Sequence, residues 1–291
     1  MAIETSIHAL IRLVDDPDER IFDHVRNSIL EMGSEAIPYL KNSLDVVDYE
    51  LIFHERVQRL VEDIHFEEIK RKLRNWSTSP EKDLIEGALL ISNFHYKEID
   101  HSAVYSFIEQ LKRAVWLELN DQQTSFEQVK IINHVFFDLF QFEGETKNYH
   151  FPTNSYITDV ITFKKGNPLS LSIVYSYVAQ SLGIPIYGVN LPNHFILAFL
   201  DENGSNQFIK NSNEFGVLFY INPFSKGSIL DASAIKDFLI EQQLPLDRYY
   251  FEPCSNTTII RRMLTNLVSS YQQLGNHNKV QQLLELKEVL D

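Results

Sequence analysis

The 291-residue sequence holds a single cysteine, Cys254. A lone thiol excludes an intrachain disulfide and any thiolate-rich metal centre. Glycine is sparse too: the ten glycines never fall as G-x-G, and no G-K-[ST] run exists. The dinucleotide fingerprint and the phosphate-cradling loop are therefore missing, and no cofactor is expected. No apolar run approaches the roughly 18–20 residues that a bilayer span needs, so no membrane partner is expected. The opening M-A-I-E-T-S-I-H lacks the basic flank and apolar block of a secretory signal, and a cytoplasmic location is the expectation. Basic residues are the scarcer charge, 26 against 40 acidic, for a net −14. An acidic surface repels a phosphate backbone, which argues against nucleic acid.

What is present is an ordinary globular composition, 44% hydrophobic and 23% charged, with length for about two domains. The most informative stretch runs from Lys164 to Phe199. Gly166 breaks the preceding segment, Asn167 can cap, and Pro168 suits the first helical turn, where a missing N–H costs nothing. Leu169, Ile173, Val174, Tyr177 and Val178 recur at helical spacing until Leu182-Gly183 and Pro185 end the run. Residues 184–189 and 195–199 then read as short strands, with His194 at the mouth of the second.

The motifs G-N-P-L-S-L at 166–171, L-G-I-P at 182–185, G-V-N-L-P-N-H-F at 188–195 and I-N-P-F at 221–224 together resemble the transglutaminase-like superfamily. Within it they resemble the bacterial Sir-B-type subfamily. The resemblance implies an α+β, predominantly helical fold: a papain-like core with a small antiparallel sheet, flanked by helical-repeat segments. Active members of the superfamily combine a cysteine at a helix N-terminus, a histidine on one strand and an aspartate on the next. Here His194 matches the histidine, Asn222 falls at the aspartate, and Pro168 falls at or beside the cysteine.

Around that centre the chain is helical. Ile3, Ile7, Leu10, Ile11 and Val14 share one face of a helix over 2–14. Ile21, Phe22, Val25, Ile29 and Leu30 form the next stripe, and Ser34 can cap a third helix through Leu44. This segment, 1–78, resembles HEAT-type repeats. A long helix is expected over 48–76, a linker at Ser77–Pro80, and helices over 81–94, 101–119, 125–141 and 155–164, the third of these apolar nearly all round. The core is expected over 79–248, with a turn in D-E-N-G-S-N, strands at 207–209 and 215–221, and a helix at 232–243. The tail, 249–291, resembles a tetratricopeptide-like hairpin with Met263, Leu264, Leu267, Tyr271 and Leu274 as its stripe.

The chemistry turns on a missing nucleophile. A thiolate is favoured at a helix start by unpaired N–H groups and the helix dipole, and proline supplies neither thiol nor N–H. Ser170 is two residues on, where a hydroxyl commonly bonds the local backbone. Cys254 lies outside a helix-start context and reads as a small buried residue. Two E-x-x-H pairs, Glu62–His65 and Glu98–His101, lack the further inward glutamates that a di-iron site requires, so no metal is expected.

Three functions stay open. The first is a non-catalytic protein- or peptide-binding or regulatory module, its cleft lined by Gly166, Asn167, Pro168 and Asn193 around a degenerate triad of His194, Asn222 and Ser170. The second is a hydrolase or acyltransferase that uses Ser170, His194 and Asn222, since an amide can orient the imidazole. The third is an architectural protein binding through its helical ends. The oligomeric state is open.

Overall fold

The computed structural model describes residues 2–45, 51–201 and 216–291, with side chains from residue 6 onward. They fall into two compact units, residues 1–75 and 76–291. The Ile3 side chain, residues 48–50, the D-E-N-G-S-N turn beyond Asp201, the strand at 207–209 and Phe215 lie outside what is described.

The first unit is helical: α1 (Ala2–Ile11), α2 (Glu19–Met32), α3 (Ile37–Ser43) and most of α4 (Leu51–Thr78). Asp18 caps α2, its carboxylate accepting from the Arg20 N–H at 2.9 Å. Ser34 does not cap α3. A 3-10 turn at Gly33–Ala36 runs straight into that helix, and Ala36 stands at its cap position. Ile7, Val14, Phe22, Val25, Leu40, Phe53 and Leu60 form one buried cluster. Arg56 is buried beside it. Its guanidinium lies over the Phe22 ring at 4.2 Å, donates to the Val14 and Asp16 carbonyls, and pairs with Glu19 at 2.7 Å. The buried cation is thus paired with a carboxylate.

In the second unit α4 continues through Thr78, so Ser77 and Thr78 are helical and not a linker. The reason is tertiary: Trp76 is buried and donates its indole N–H to the Asp83 carbonyl at 2.7 Å. Then follow α5 (Leu84–Ser92), α6 (His101–Glu118) and α7 (Ser125–Asn133), the last opened by a Thr124–Glu127 capping box. A π turn, His134–Leu139, continues α7. It is apolar on one face only, for Val135, Phe136 and Phe137 are buried while Phe126 and Leu139 are exposed.

Next come β1 (Glu143–Gly144), α8 (Ile157–Phe163), β2 (Lys165–Gly166), α9 (Pro168–Ser181), β3 (Ile186–Val189) and β4 (Ile196–Leu200). The chain ends with β5 (Val217–Asn222), β6 (Ser228–Leu230), α10 (Ala232–Glu241), α11 (Asn256–Gln273) and α12 (His277–Glu288). Strands β3-β4-β5-β6 form an antiparallel sheet in that order, while β1 and β2 pair in parallel.

Helix α9 is the centre of this unit. It touches α5, α6, α8 and α11 as well as β3 and β4, and it is buried on nearly every side, as a helix apolar all round must be. Its inward serines are tolerated because each satisfies its hydroxyl locally. Ser172 donates to the Pro168 carbonyl and Ser176 to the Ser172 carbonyl, both at 2.7 Å. In α11, Met263, Leu264, Leu267 and Tyr271 are buried, but Leu274 is exposed at the helix end.

Candidate functional site

The start of α9 is built by its own short-range chemistry. Asn167 caps, its Oδ1 accepting from the Ser170 N–H at 2.9 Å, and Ser170 returns the favour by accepting from the Asn167 N–H at 3.0 Å. Pro168 occupies the first helical position. The Asn167 amide also donates to the Ser155 hydroxyl at 2.9 Å. Gly166 is required here, since a Cβ on it would stand 2.5 Å from the Ser170 hydroxyl.

Opposite, Asn193 adopts φ +56° and turns the chain so that the His194 N–H reaches the Leu191 carbonyl at 3.3 Å, just before β4. Between the two walls lies a cavity of about 350 Å³. Asn167, Pro168 and Leu169 line one side, Asn193, His194 and Phe195 another, with Tyr149, His150 and Ser155 at the edge. The remaining wall is α11, which contributes Arg262, Asn266, Ser269 and Ser270. A hydrogen bond between the buried hydroxyls of Tyr156 and Tyr271, 3.1 Å, ties α11 to the entry of α8.

Of the residues singled out in the sequence, Asn167, Pro168, Asn193 and His194 line this cavity, while Gly166, Ser170 and Asn222 do not. The Ser170 hydroxyl is buried and donates to the Asn154 carbonyl at 2.6 Å. Asn222, at the end of β5, caps the following turn by accepting from the Phe224 N–H at 3.1 Å. Its side chain also comes close enough to the His194 ring to raise that ring's proton affinity. Burial acts more strongly in the other direction, aided by the Arg262 charge, and the His194 pKa is lowered overall. No hydroxyl or thiol among the described residues is hydrogen-bonded to that ring.

Cys254 requires a correction. It directly precedes Ser255, the N-cap of α11, so it does stand at a helix start. The thiol is nonetheless absent from the cavity lining, and its N–H is spent on the Gly188 carbonyl at 2.8 Å. Burial pushes the thiol pKa up to about 12, the reverse of what a nucleophile needs. Among the described residues no group of three or more His, Cys, Asp or Glu is placed to hold a metal ion.

Sequence reasoning missed Arg262. R-R-M-L inside an amphipathic helix reads as solvated charge, and only the packing of α11 brings this side chain to the cavity. Its Nη1 donates to the Asn190 Oδ1 at 2.9 Å and the Leu191 carbonyl at 3.0 Å, clamping the turn that carries His194.

The lowered His194 pKa has a measurable consequence. The folded state resists protonating this ring, so its contribution to stability is complete above the ordinary histidine pKa of about 6.5. That contribution is lost as pH falls through the lower folded value. The urea midpoint of the wild type is therefore expected to fall relative to His194→Gln as pH drops from above to below that point. Parallel pH profiles would contradict it.

A family model described as the transglutaminase-like superfamily matches residues 102–265, a span that contains Pro168, His194, Asn222 and Arg262. A UPF0162 protein of Xylella fastidiosa (strain 9a5c) is 29% identical over 200 residues, 65% of this chain and 64% of its own. F-box only protein 21 of Mus musculus is 29% identical over 156 residues, 53% of this chain but 23% of its own. A UPF0162 protein of Vibrio cholerae is 25% identical over 191 residues, covering 65% of this chain and 66% of its own. The alignment thus spans 64% of the length of the Xylella relative. No solved structure matches the chain.

Proposed function

We propose that this chain, which belongs to the transglutaminase-like superfamily, is a non-catalytic member of the Sir-B-type subfamily that binds a protein or peptide segment in the cleft beside His194. One observation carries the reading. The first position of α9 is a proline, and the hydroxyl two residues on is buried and committed to the Asn154 carbonyl at 2.6 Å, outside the cavity lining. An imidazole with no nucleophile beside it can still donate or accept one hydrogen bond, as a binding group does. Asn193, Asn266 and Ser269 add further uncharged donors and acceptors to the cleft. On this reading the protein is cytoplasmic, with HEAT-like and tetratricopeptide-like ends.

Two assays test it. A serine-directed fluorophosphonate, followed by intact-mass spectrometry, is expected to leave the wild type unlabelled. Labelling that disappears in both Ser170→Ala and His194→Ala would instead establish the hydrolase or acyltransferase reading. Peptides selected on the wild type from a random library are expected to lose binding to Asn193→Gly, which keeps the left-handed backbone, and to His194→Ala, while both variants retain a cooperative melting transition. Peptides that keep binding to both variants would favour the architectural reading.

A further inference from the structure

The cavity beside His194 is electrically unlike the rest of the molecule. The chain carries 40 acidic and 26 basic residues, yet no aspartate or glutamate lines this cavity, whereas one arginine and two histidines do. The arginine is half-buried and has no carboxylate partner among the described residues. The acceptors around Arg262 are all neutral: the Asn190 side chain, the Leu191 carbonyl and, at 3.3 Å, the Asn266 side chain. Arg56 in the first unit shows what a satisfied arginine looks like in this chain, with Glu19 against its Nη2 at 2.7 Å.

A guanidinium has five N–H donors. At Arg262 the Nη1 and Nε groups are engaged, and Nη2 donates to no acceptor among the described residues. Desolvation holds the Arg262 pKa below its ordinary value, as expected for a cation withdrawn from water without a counter-ion. The other titratable groups nearby do not neutralise it. His150 and His194 add no negative charge, and burial keeps the proton on the Cys254 thiol.

We infer that this cavity binds a carboxylate, presented by a peptide chain end or an acidic side chain, on the free Nη2 of Arg262 with Asn266 and His194 alongside. The inference rests on the binding reading above and names the chemistry of its ligand. A carboxylate oxygen accepts from the free Nη2 and neutralises one cation with one charge, and charge-assisted bonds of this kind are the strong ones.

The test compares charged and neutral ligands on the unmodified full chain, so it does not depend on a variant that has to fold. Hippurate models a chain end, N-acetylaspartic acid α-amide models an acidic side chain, and hippuramide is the neutral control. Binding is read from NMR shifts of the arginine Nε–H and histidine ring signals at millimolar ligand. At least one carboxylate is expected to bind on the order of tenfold or more tighter than hippuramide, and whichever does so identifies the source. The preference is expected to vanish in Arg262→Gln and to survive in part in Arg262→Lys.

Binding of neither carboxylate more tightly than hippuramide, or a stronger response to inorganic phosphate, would overturn the assignment. So would a carboxylate preference that persists in a folded Arg262→Gln. Failure here is separable from failure of the binding reading. Library peptides that bind through His194 but ignore carboxylate neutralisation would sink only the ligand chemistry.

Discussion

Gly227→Ala is expected to lower the melting temperature of the larger unit by about 6–12 °C. Gly227 sits at φ +69°, where a side chain costs about 1–2 kcal/mol of backbone strain. A Cβ there would also stand 1.9 Å from the Asn133 side-chain oxygen. Asn133 cannot simply move away, because it donates to the Gly227 carbonyl at 3.0 Å and accepts from the Tyr175 hydroxyl at 2.9 Å. Displacing it leaves the fully buried Tyr175 without its partner, which adds roughly 1–3 kcal/mol. A sum near 3 kcal/mol, at about 2–4 °C per kcal/mol for a unit of this size, gives the stated range. The Gly227 N–H also bonds the Asn222 carbonyl at 2.9 Å, so the damage reaches the turn that holds Asn222 near His194. In the double variant with Asn133→Ala the steric part should vanish, leaving less loss than the two single changes added together. An unchanged melting temperature in Gly227→Ala would contradict this account of the turn.

Ser170→Ala is expected to cost roughly 2 kcal/mol, or about 4–8 °C. The hydroxyl holds two buried backbone groups at once, the Asn154 carbonyl and the Asn167 N–H. Removing it takes away both of those bonds and leaves the two groups only the longer one between themselves, Asn167 N–H to the Asn154 carbonyl at 3.2 Å, at the entrance to a buried helix. Ser170→Thr keeps the hydroxyl, and if its methyl group is accommodated it should recover part of the loss. A catalytic serine behaves in the opposite sense. Active sites hold strain that serves reaction and not stability, so removing the nucleophile there is commonly neutral or stabilising. Calorimetry of Ser170→Ala therefore separates the two roles by sign, and a raised melting temperature would count against the structural one.

Local chemistry explains which parts of this architecture were legible. The start of α9 could be read because Asn, Pro and Ser act within four residues of one another, and the coordinates place cap and first turn where those residues imply. The end of α9 was equally local, with Gly183 at φ +73°. Strands β3 and β4 follow from short apolar runs closed by Pro and Asn. The parallel pair β1 and β2 could not be read: each is two residues long, and their partners are 22 positions apart in the chain. Strand β6 escaped for the same reason, being three residues between Gly227 and the cap of α10. The π turn after α7 keeps helical side-chain spacing and leaves no mark in the periodicity.

The stop expected at 77–80 came two residues early: Ser77 and Thr78 stay helical beside the buried Trp76, and the helix ends before Ser79-Pro80. At the candidate site the histidine and the proline were visible as motif residues. Arg262 was not, because its meaning comes from α11 packing across from His194, 68 positions away in sequence. The Ser255 cap was within reach, since a serine followed by a helical stripe is a start signal, and it would have placed Cys254 correctly.

The account turns on position 168 being the vacant nucleophile position of a cleft whose histidine is still in place. Alkylation kinetics of Pro168→Cys with iodoacetamide test that most directly. At the first turn of a 14-residue helix, lining the same cavity as His194 and near Arg262, a thiol is expected to ionise below the ordinary pKa of about 8.5. It should therefore react near neutral pH far faster than Cys254, whose thiol is held up at about 12. Its pH–rate profile should also shift upward when His194→Gln is added. A thiol at 168 that reacts no faster than Cys254, or whose profile ignores His194, would contradict the account.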